Sequence, residues 1–121
     1  MLKVYFKPDC ATCRTALDII HSNADETPEL VEYLRETPSP EELREIIRML
    51  GIEPEMLVRK KEPLYQEHYL GKQVSGEEWI TILSENPVLI ERPIIVSGDK
   101  AIIGRPLDKI AEFLKNTEDR R

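Results

Sequence analysis

The sequence predicts an α/β fold: a four-stranded mixed sheet flanked by helices, with a helical insertion over roughly residues 38–87 separating a β-α-β half from a β-β-α half. Three observations predict it. A short apolar run at 2–6 is followed by a helical pattern and a second β-like run at 30–34. Two β-branched runs, 94–96 and 101–103, flank Ser97-Gly98-Asp99-Lys100, which reads as a hairpin turn. The stretch between these halves is mostly helical in pattern. At 121 residues the chain reads as one domain, 1–121, with little room for a second core.

Residues 2–6 form too continuous an apolar run for a half-exposed strand and read as a buried one. Ala16, Leu17, Ile19 and Ile20 fall at helical spacing, so a helix is expected over 12–21, broken at Ser22-Asn23-Ala24-Asp25. The run 30–34 is the second strand, and a right-handed crossover makes it parallel to the first. Ser39, Pro40 and Glu42 then announce a helix: a cap, a residue that suits the first turn, and a capping-box partner. Leu43, Ile46, Ile47 and Leu50 give it an apolar face, and Gly51 ends it. Short helices are expected at 54–58 and 64–70, on either side of a basic turn at 59–63. Ser75 caps a helix carrying Trp79, Ile80, Ile82 and Leu83 that ends near Asn86-Pro87. After the hairpin, Gly104-Arg105-Pro106 turns into a last helix over 107–115, with Ile110, Phe113 and Leu114 inward and a frayed charged tail at 116–121. Tyr33 and Trp79 read as core aromatics. The two outer halves together make a thioredoxin/glutaredoxin-like topology.

Composition narrows the function. Hydrophobic residues at 40% and charged residues at 33% describe a soluble, ordered chain, and no apolar run approaches a membrane span. A net charge of −6 argues against nucleic acid as a partner, so any anion site needs locally placed arginines. The chain opens directly on a strand rather than on a basic segment followed by an apolar one, so no signal peptide is expected and a cytoplasmic location is.

Both cysteines, Cys10 and Cys13, lie in one C-x-x-C between the first strand and the first helix. The loop they could close is too small for a disulfide there to remove much chain entropy, so the pair reads as reactive rather than as a staple. A thiol delivered to the first turn of a helix meets unpaired N–H groups and the positive end of the helix dipole, which favour the thiolate. The thiolate is the nucleophile, so Cys10 is a candidate catalytic residue. Cys13 is open to three readings: a resolving thiol, a small residue tucked into the helix turn, or half of a zinc site. The last needs two more ligands, and His21 and His68 do not have metal-ligand spacing; no metal is expected.

Y-F-K-P-D-C-x-x-C-R at 5–14, V-E-Y-L at 31–34, L-V-R-K at 57–60, N-P-V-L-I-E-R-P-I at 86–94 and I-G-R-P at 103–106 together carry a likeness over nearly the full length. In order and spacing the chain resembles the glutaredoxin-coupled arsenate reductases, a superfamily that also holds the Spx-type transcription regulators. The resemblance implies a thioredoxin-like fold and, in the setting of arsenic resistance, a cysteine thiolate that attacks arsenate to form a covalent adduct. Glutathione or another thiol then acts as cosubstrate, and glutaredoxin or thioredoxin supplies electrons until arsenite leaves. No bound cofactor is implied. The position matching the family nucleophile is Cys10; Arg59, Arg92 and Arg105 match the arginines that hold the oxyanion. The peptide before Pro93 matches the cis bond of thioredoxin folds. Arginine suits the task because arsenate is mostly dianionic near neutral pH and repels a thiolate. The planar fork pairs with oxygens and stabilises charge that moves onto them. Backbone N–H groups of residues 11–13 are expected to add donors. Arg92 and Arg105 each precede a proline at an element boundary, in loops at the sheet end where Cys10 is expected.

The chain departs from the family pattern in two places that bear on chemistry. Cys13 stands where reductases often carry Ser or Thr, and a second thiol could attack Cys10 and close an internal disulfide. That admits two alternatives to the reductase: an Spx-type redox regulator binding RNA polymerase with Cys10/Cys13 as the switch, or a general thiol–disulfide oxidoreductase. Phe6 and Lys7 stand where many reductases have His-Asn, so one imidazole that lowers the thiol pKa is missing, and Lys7 is the candidate positive substitute.

Overall fold

The computed structural model describes residues 2–23, 27–104 and 107–118. It divides into two compact units, one formed by Met1–Glu36 with Arg92–Arg121 and the other by Thr37–Glu91.

The first unit holds the sheet. Strand β1 (Leu2–Phe6) pairs in parallel with β2 (Glu29–Glu32) and antiparallel with β3 (Ile94–Ser97), which pairs antiparallel with β4 (Lys100–Ile103). The order is β2-β1-β3-β4, so β1 and β3 are central. This is the mixed four-stranded sheet expected from the sequence. The hairpin turns through Gly98 at φ 62°, a left-handed conformation that other residues adopt only at a cost. Helices α1 (Ala11–Asn23) and α5 (Asp108–Glu118) share one core with the sheet: Ala16 and Ile20 of α1 and Ile110 and Leu114 of α5 pack with Leu2, Val4 and Ile95. Each isoleucine fully buried here is worth about 1.5–3 kcal/mol of transfer free energy.

Three boundaries in this unit differ from the sequence reading by two residues or more. Helix α1 runs on through Ser22 and Asn23, because the Asn23 side chain donates to the Ile19 carbonyl at 2.7 Å and closes the last turn. Strand β2 stops at Glu32 rather than at 34: the Glu32 carbonyl accepts N–H groups from both Arg35 and Glu36 at 2.9 Å, which turns the chain. Helix α5 continues to Glu118, where a frayed tail from 116 was expected. Residues 119–121 lie outside the described residues.

The second unit is helical. It contains α2 (Pro40–Leu50), a 3-10 turn at Pro54–Leu57, α3 (Pro63–His68), α4 (Gly76–Glu85) and a 3-10 turn at Pro87–Leu89 that the sequence reading did not anticipate. Ser39 and Ser75 cap α2 and α4 as expected, each hydroxyl accepting the amide N–H three residues on, from Glu42 and Glu78, at 3.2 Å. Arg44 of α2 reaches Glu77 of α4 through Nε and Nη2 at 3.2 and 2.9 Å. Trp79, with 1% exposure, packs against Tyr65 and Tyr69 at centroid separations of 6.2 and 5.4 Å. Ser39→Ala is expected to lower stability by about 1 kcal/mol, because the Glu42 amide loses its acceptor. A denaturation midpoint unchanged from wild type would show that the cap contributes nothing.

Candidate functional site

Strand directions bring the site together within the first unit. Phe6 pairs with Glu32, Tyr5 with Ile94, and Ile94 with Ile103. The C-terminal ends of β1, β2 and β4 and the N-terminal end of β3 therefore share one edge of the sheet. Cys10 follows β1 there, Tyr33 follows β2, Arg92-Pro93 precede β3 and Gly104 follows β4.

Cys10 is the capping residue of α1. Its carbonyl accepts the Arg14 N–H at 3.0 Å and its own N–H donates to the Lys7 carbonyl at 3.2 Å. Where Ser39 and Ser75 place an oxygen to receive the amide three residues on, Cys10 places its sulfur, and the donor is the Cys13 N–H. Burial pushes the Cys10 thiol up. The Cys13 amide, the Arg92 guanidinium and the Cys13 thiol outweigh it, and the pKa falls from 9.0 to about 7. The reactive thiolate is thereby favoured near neutral pH.

Cys13 behaves in the opposite way. It is wholly buried, and burial with the neighbouring Cys10 charge raises its pKa to about 11, against a lowering by the Lys7 amide. Cys13 is thus the protonated donor to a Cys10 thiolate, and the two are not joined as a disulfide. The Cys13 N–H, expected to serve an oxyanion, serves the Cys10 sulfur instead.

Arg92 is 8% exposed, the one buried charged side chain among the described residues. Burial works against its charge, but Cys10 and Tyr33 more than offset this and the guanidinium is held protonated more firmly than a free arginine. The peptide joining it to Pro93 is cis, as the resemblance implied. Lys7 is not the substitute for the missing imidazole. Its ammonium pairs with Asp9 at 3.6 Å, and Arg92 is the side-chain cation that lowers Cys10.

Arg59 belongs to the second unit. Residues 57–59 run antiparallel to 89–91 through the Val58–Ile90 bridge, with Arg59 N–H on the Leu89 carbonyl at 2.6 Å and Glu91 N–H on the Leu57 carbonyl at 2.9 Å. The Arg59 side chain is 20% exposed; Nε meets Glu62 at 3.2 Å and Nη1 lies 3.7 Å from Glu91. Its neighbour Lys60 is 51% exposed and pairs with Glu55 at 3.6 Å, so within the basic turn Arg59 is the residue built into the structure. Arg105 lies outside the described residues.

Reading the sequence alone missed one group at this site and two partners of Arg59 in the second unit. Tyr33 read as core; it is 1% exposed, yet its phenol also acts on Arg92. Glu62 and Glu91 read as turn and loop residues. Only their i+3 spacing and pairing register with Arg59 mark them. Among the described residues, no group of three or more His, Cys, Asp and Glu side chains could hold a metal ion, and no helix is long and apolar enough to cross a membrane.

The arrangement is a thiolate at a helix N-terminus beside a buried guanidinium. It is equipped to attack an electrophilic centre that carries negative oxygens. Comparison with known proteins gives this geometry a context. The family model described as the ArsC family matches residues 5–113. The arsenate reductase of Haemophilus influenzae is 35% identical, with 92% of this chain and 97% of that protein covered. The uncharacterized protein YfgD of Escherichia coli is 37% identical over 93% of this chain and 96% of its own length. The structure of an arsenate reductase from Vibrio cholerae superposes with a TM-score of 0.86 at 35% identity, covering 92% of this chain and 95% of that one.

Proposed function

This chain belongs to the ArsC family, and on that premise we propose that it reduces arsenate to arsenite through an adduct on Cys10. The observation that carries the proposal is the Cys10 thiol with a pKa of about 7 beside the buried Arg92. The Cys10 thiolate attacks arsenic of hydrogen arsenate. An As–O bond breaks, the departing oxygen takes a proton from solvent and leaves as water, and a Cys10–S–As(V) adduct remains. Arg92, with Arg59 and Arg105 in the roles the family implies, neutralises the oxygens so that a thiolate can approach an anion. A second thiol then attacks the Cys10 sulfur. The S–As bond breaks, its electron pair stays on arsenic, and arsenite departs as As(III) while a disulfide forms. A dithiol protein, glutaredoxin or thioredoxin, restores the thiols. No bound cofactor takes part, and the cytoplasm is the compartment whose thiol pool suits the cycle.

The second thiol is either glutathione or Cys13. The direct contact of Cys13 with Cys10 favours Cys13 and, with it, an electron route through thioredoxin. The same contact supports the rival reading, a general thiol–disulfide oxidoreductase. The Spx-type regulator asks the same disulfide of these two thiols and in addition a complex with RNA polymerase. Arsenite release from arsenate, measured with glutathione plus glutaredoxin and in parallel with thioredoxin, separates these. Release with neither donor ends the reductase reading. Cys13→Ser is expected to slow the thioredoxin-coupled reaction about tenfold or more and to spare the glutathione-coupled one. Equal rates for Cys13→Ser and wild type with both donors would remove Cys13 from the cycle.

A further inference from the structure

Gly104 is the most crowded of the described glycines; at Gly76 an added Cβ would meet Pro54 Cγ at 3.2 Å. A Cβ at Gly51, Gly71 or Gly98 would meet nothing within 4 Å, and each of those has a positive φ that explains the residue. At Gly104 the obstacle is space. A Cβ there would lie 2.9 Å from Pro93 Cγ, 3.2 Å from Ile110 Cδ1 and 3.4 Å from Ile95 Cδ1. The two isoleucines are fully buried, in α5 and β3, so they have little room to yield. Pro93 Cγ belongs to a ring closed on its own backbone. Only a change of ring pucker could move it alone, and Pro93 is itself buried, so displacing it presses on the main chain of Pro93. That main chain is also tied to Gly104 directly, by the Gly104 N–H on the Pro93 carbonyl at 2.8 Å. Arg92 is the residue before Pro93, and Arg105 is the residue after Gly104.

We propose that Gly104 is the positioning residue of the oxyanion site: its bare backbone, pressed on Pro93, holds Arg92 beside the Cys10 sulfur. The oxyanion part rests on the arsenate reading of Arg92; the placement of Arg92 beside Cys10 does not. The contact acts through Pro93 and touches neither thiol nor substrate. Its signature is therefore a change in the ionisation of Cys10, which a purely structural glycine would leave alone.

The test is Gly104→Ala. The pH dependence of Cys10 alkylation by iodoacetamide, read on the reduced protein, is expected to move its midpoint up by about one unit, because an arginine displaced from the sulfur stabilises the thiolate less. Where arsenite release is measurable, kcat/KM is expected to fall about tenfold or more. Ile110→Val is the control. It removes a buried methyl from the same contact and lowers Tm, but leaves Pro93 in place, and its alkylation midpoint stays at the wild-type value. A midpoint unmoved in Gly104→Ala overturns the proposal, as does an equal shift in Ile110→Val, which would trace the effect to lost stability. If Gly104→Ala does not fold, Gly104→Ala with Ile110→Val relieves the 3.2 Å contact, keeps the 2.9 Å one, and is read by the same criteria. Failure of the arsenate reading would appear separately, as a wild-type protein that releases no arsenite yet shows the alkylation shift.

Discussion

Cys10→Ser is expected to abolish arsenite release with either electron donor, a loss on the order of ten-thousand-fold or more. Serine is the residue that caps α2 and α4, so the substitution keeps an acceptor for the Cys13 amide and leaves α1 capped. What disappears is a group that ionises near neutral pH and can form bonds to arsenic and to a second sulfur. Retained turnover would take Cys10 out of the reaction. The wild-type thiol also leaves a mark on stability. Its folded pKa of about 7 lies below the ordinary 9.0, so its contribution is present above pH 9 and lost as pH falls through 7. Cys13 is raised to about 11. Its contribution is complete below the ordinary value and is lost only as pH climbs towards 11. The reduced wild type is therefore expected to gain stability between pH 7 and 9, measured by thermal unfolding, and Cys10→Ser to lack that gain. Parallel profiles for the two proteins would contradict the lowered pKa.

Arg92→Ala is expected to raise the midpoint of Cys10 alkylation by about one unit or more and to cut kcat/KM for arsenate by about a hundredfold. Burial is the largest influence on Cys10 and acts upward. With the guanidinium gone, the Cys13 amide and thiol are left to oppose it. The same substitution removes the one buried cation available to the oxyanion among the described residues. Arg92→Lys restores a charge without the planar fork, and is expected to recover the midpoint more fully than the turnover. An alkylation midpoint still near 7 in Arg92→Ala would mean that the Cys13 amide and thiol are enough to set the thiol pKa.

Much of this architecture was legible in the chain because its signals are local. Ser39-Pro40 and Ser75-Gly76 mark helix starts through bonds that span three residues. The Gly98 turn dictates the β3–β4 hairpin for the same reason. The boundaries that went astray depended on finer contacts: a side chain closing the end of α1 at Asn23, and one carbonyl at Glu32 taking two donors. Neither leaves a compositional trace. At the site, Cys10 was marked by its place between a strand and a helix, and Arg92 by the family resemblance with the proline that follows it as support. Tyr33 was not, because an aromatic that packs the core and one that acts on a buried arginine have the same sequence appearance.

The sequence by itself determined the order of elements, the mixed sheet and the presence of a thiol at a helix start, because each follows from spacing within a dozen residues. Only the tertiary structure decided which groups act on that thiol. Arg92 reaches Cys10 because β1 and β3 pair side by side, and Gly104 holds Pro93 because β4 ends against the start of β3. These are relations between residues far apart in the chain. Their effect on the sulfur depends on burial and direction, which no local pattern encodes.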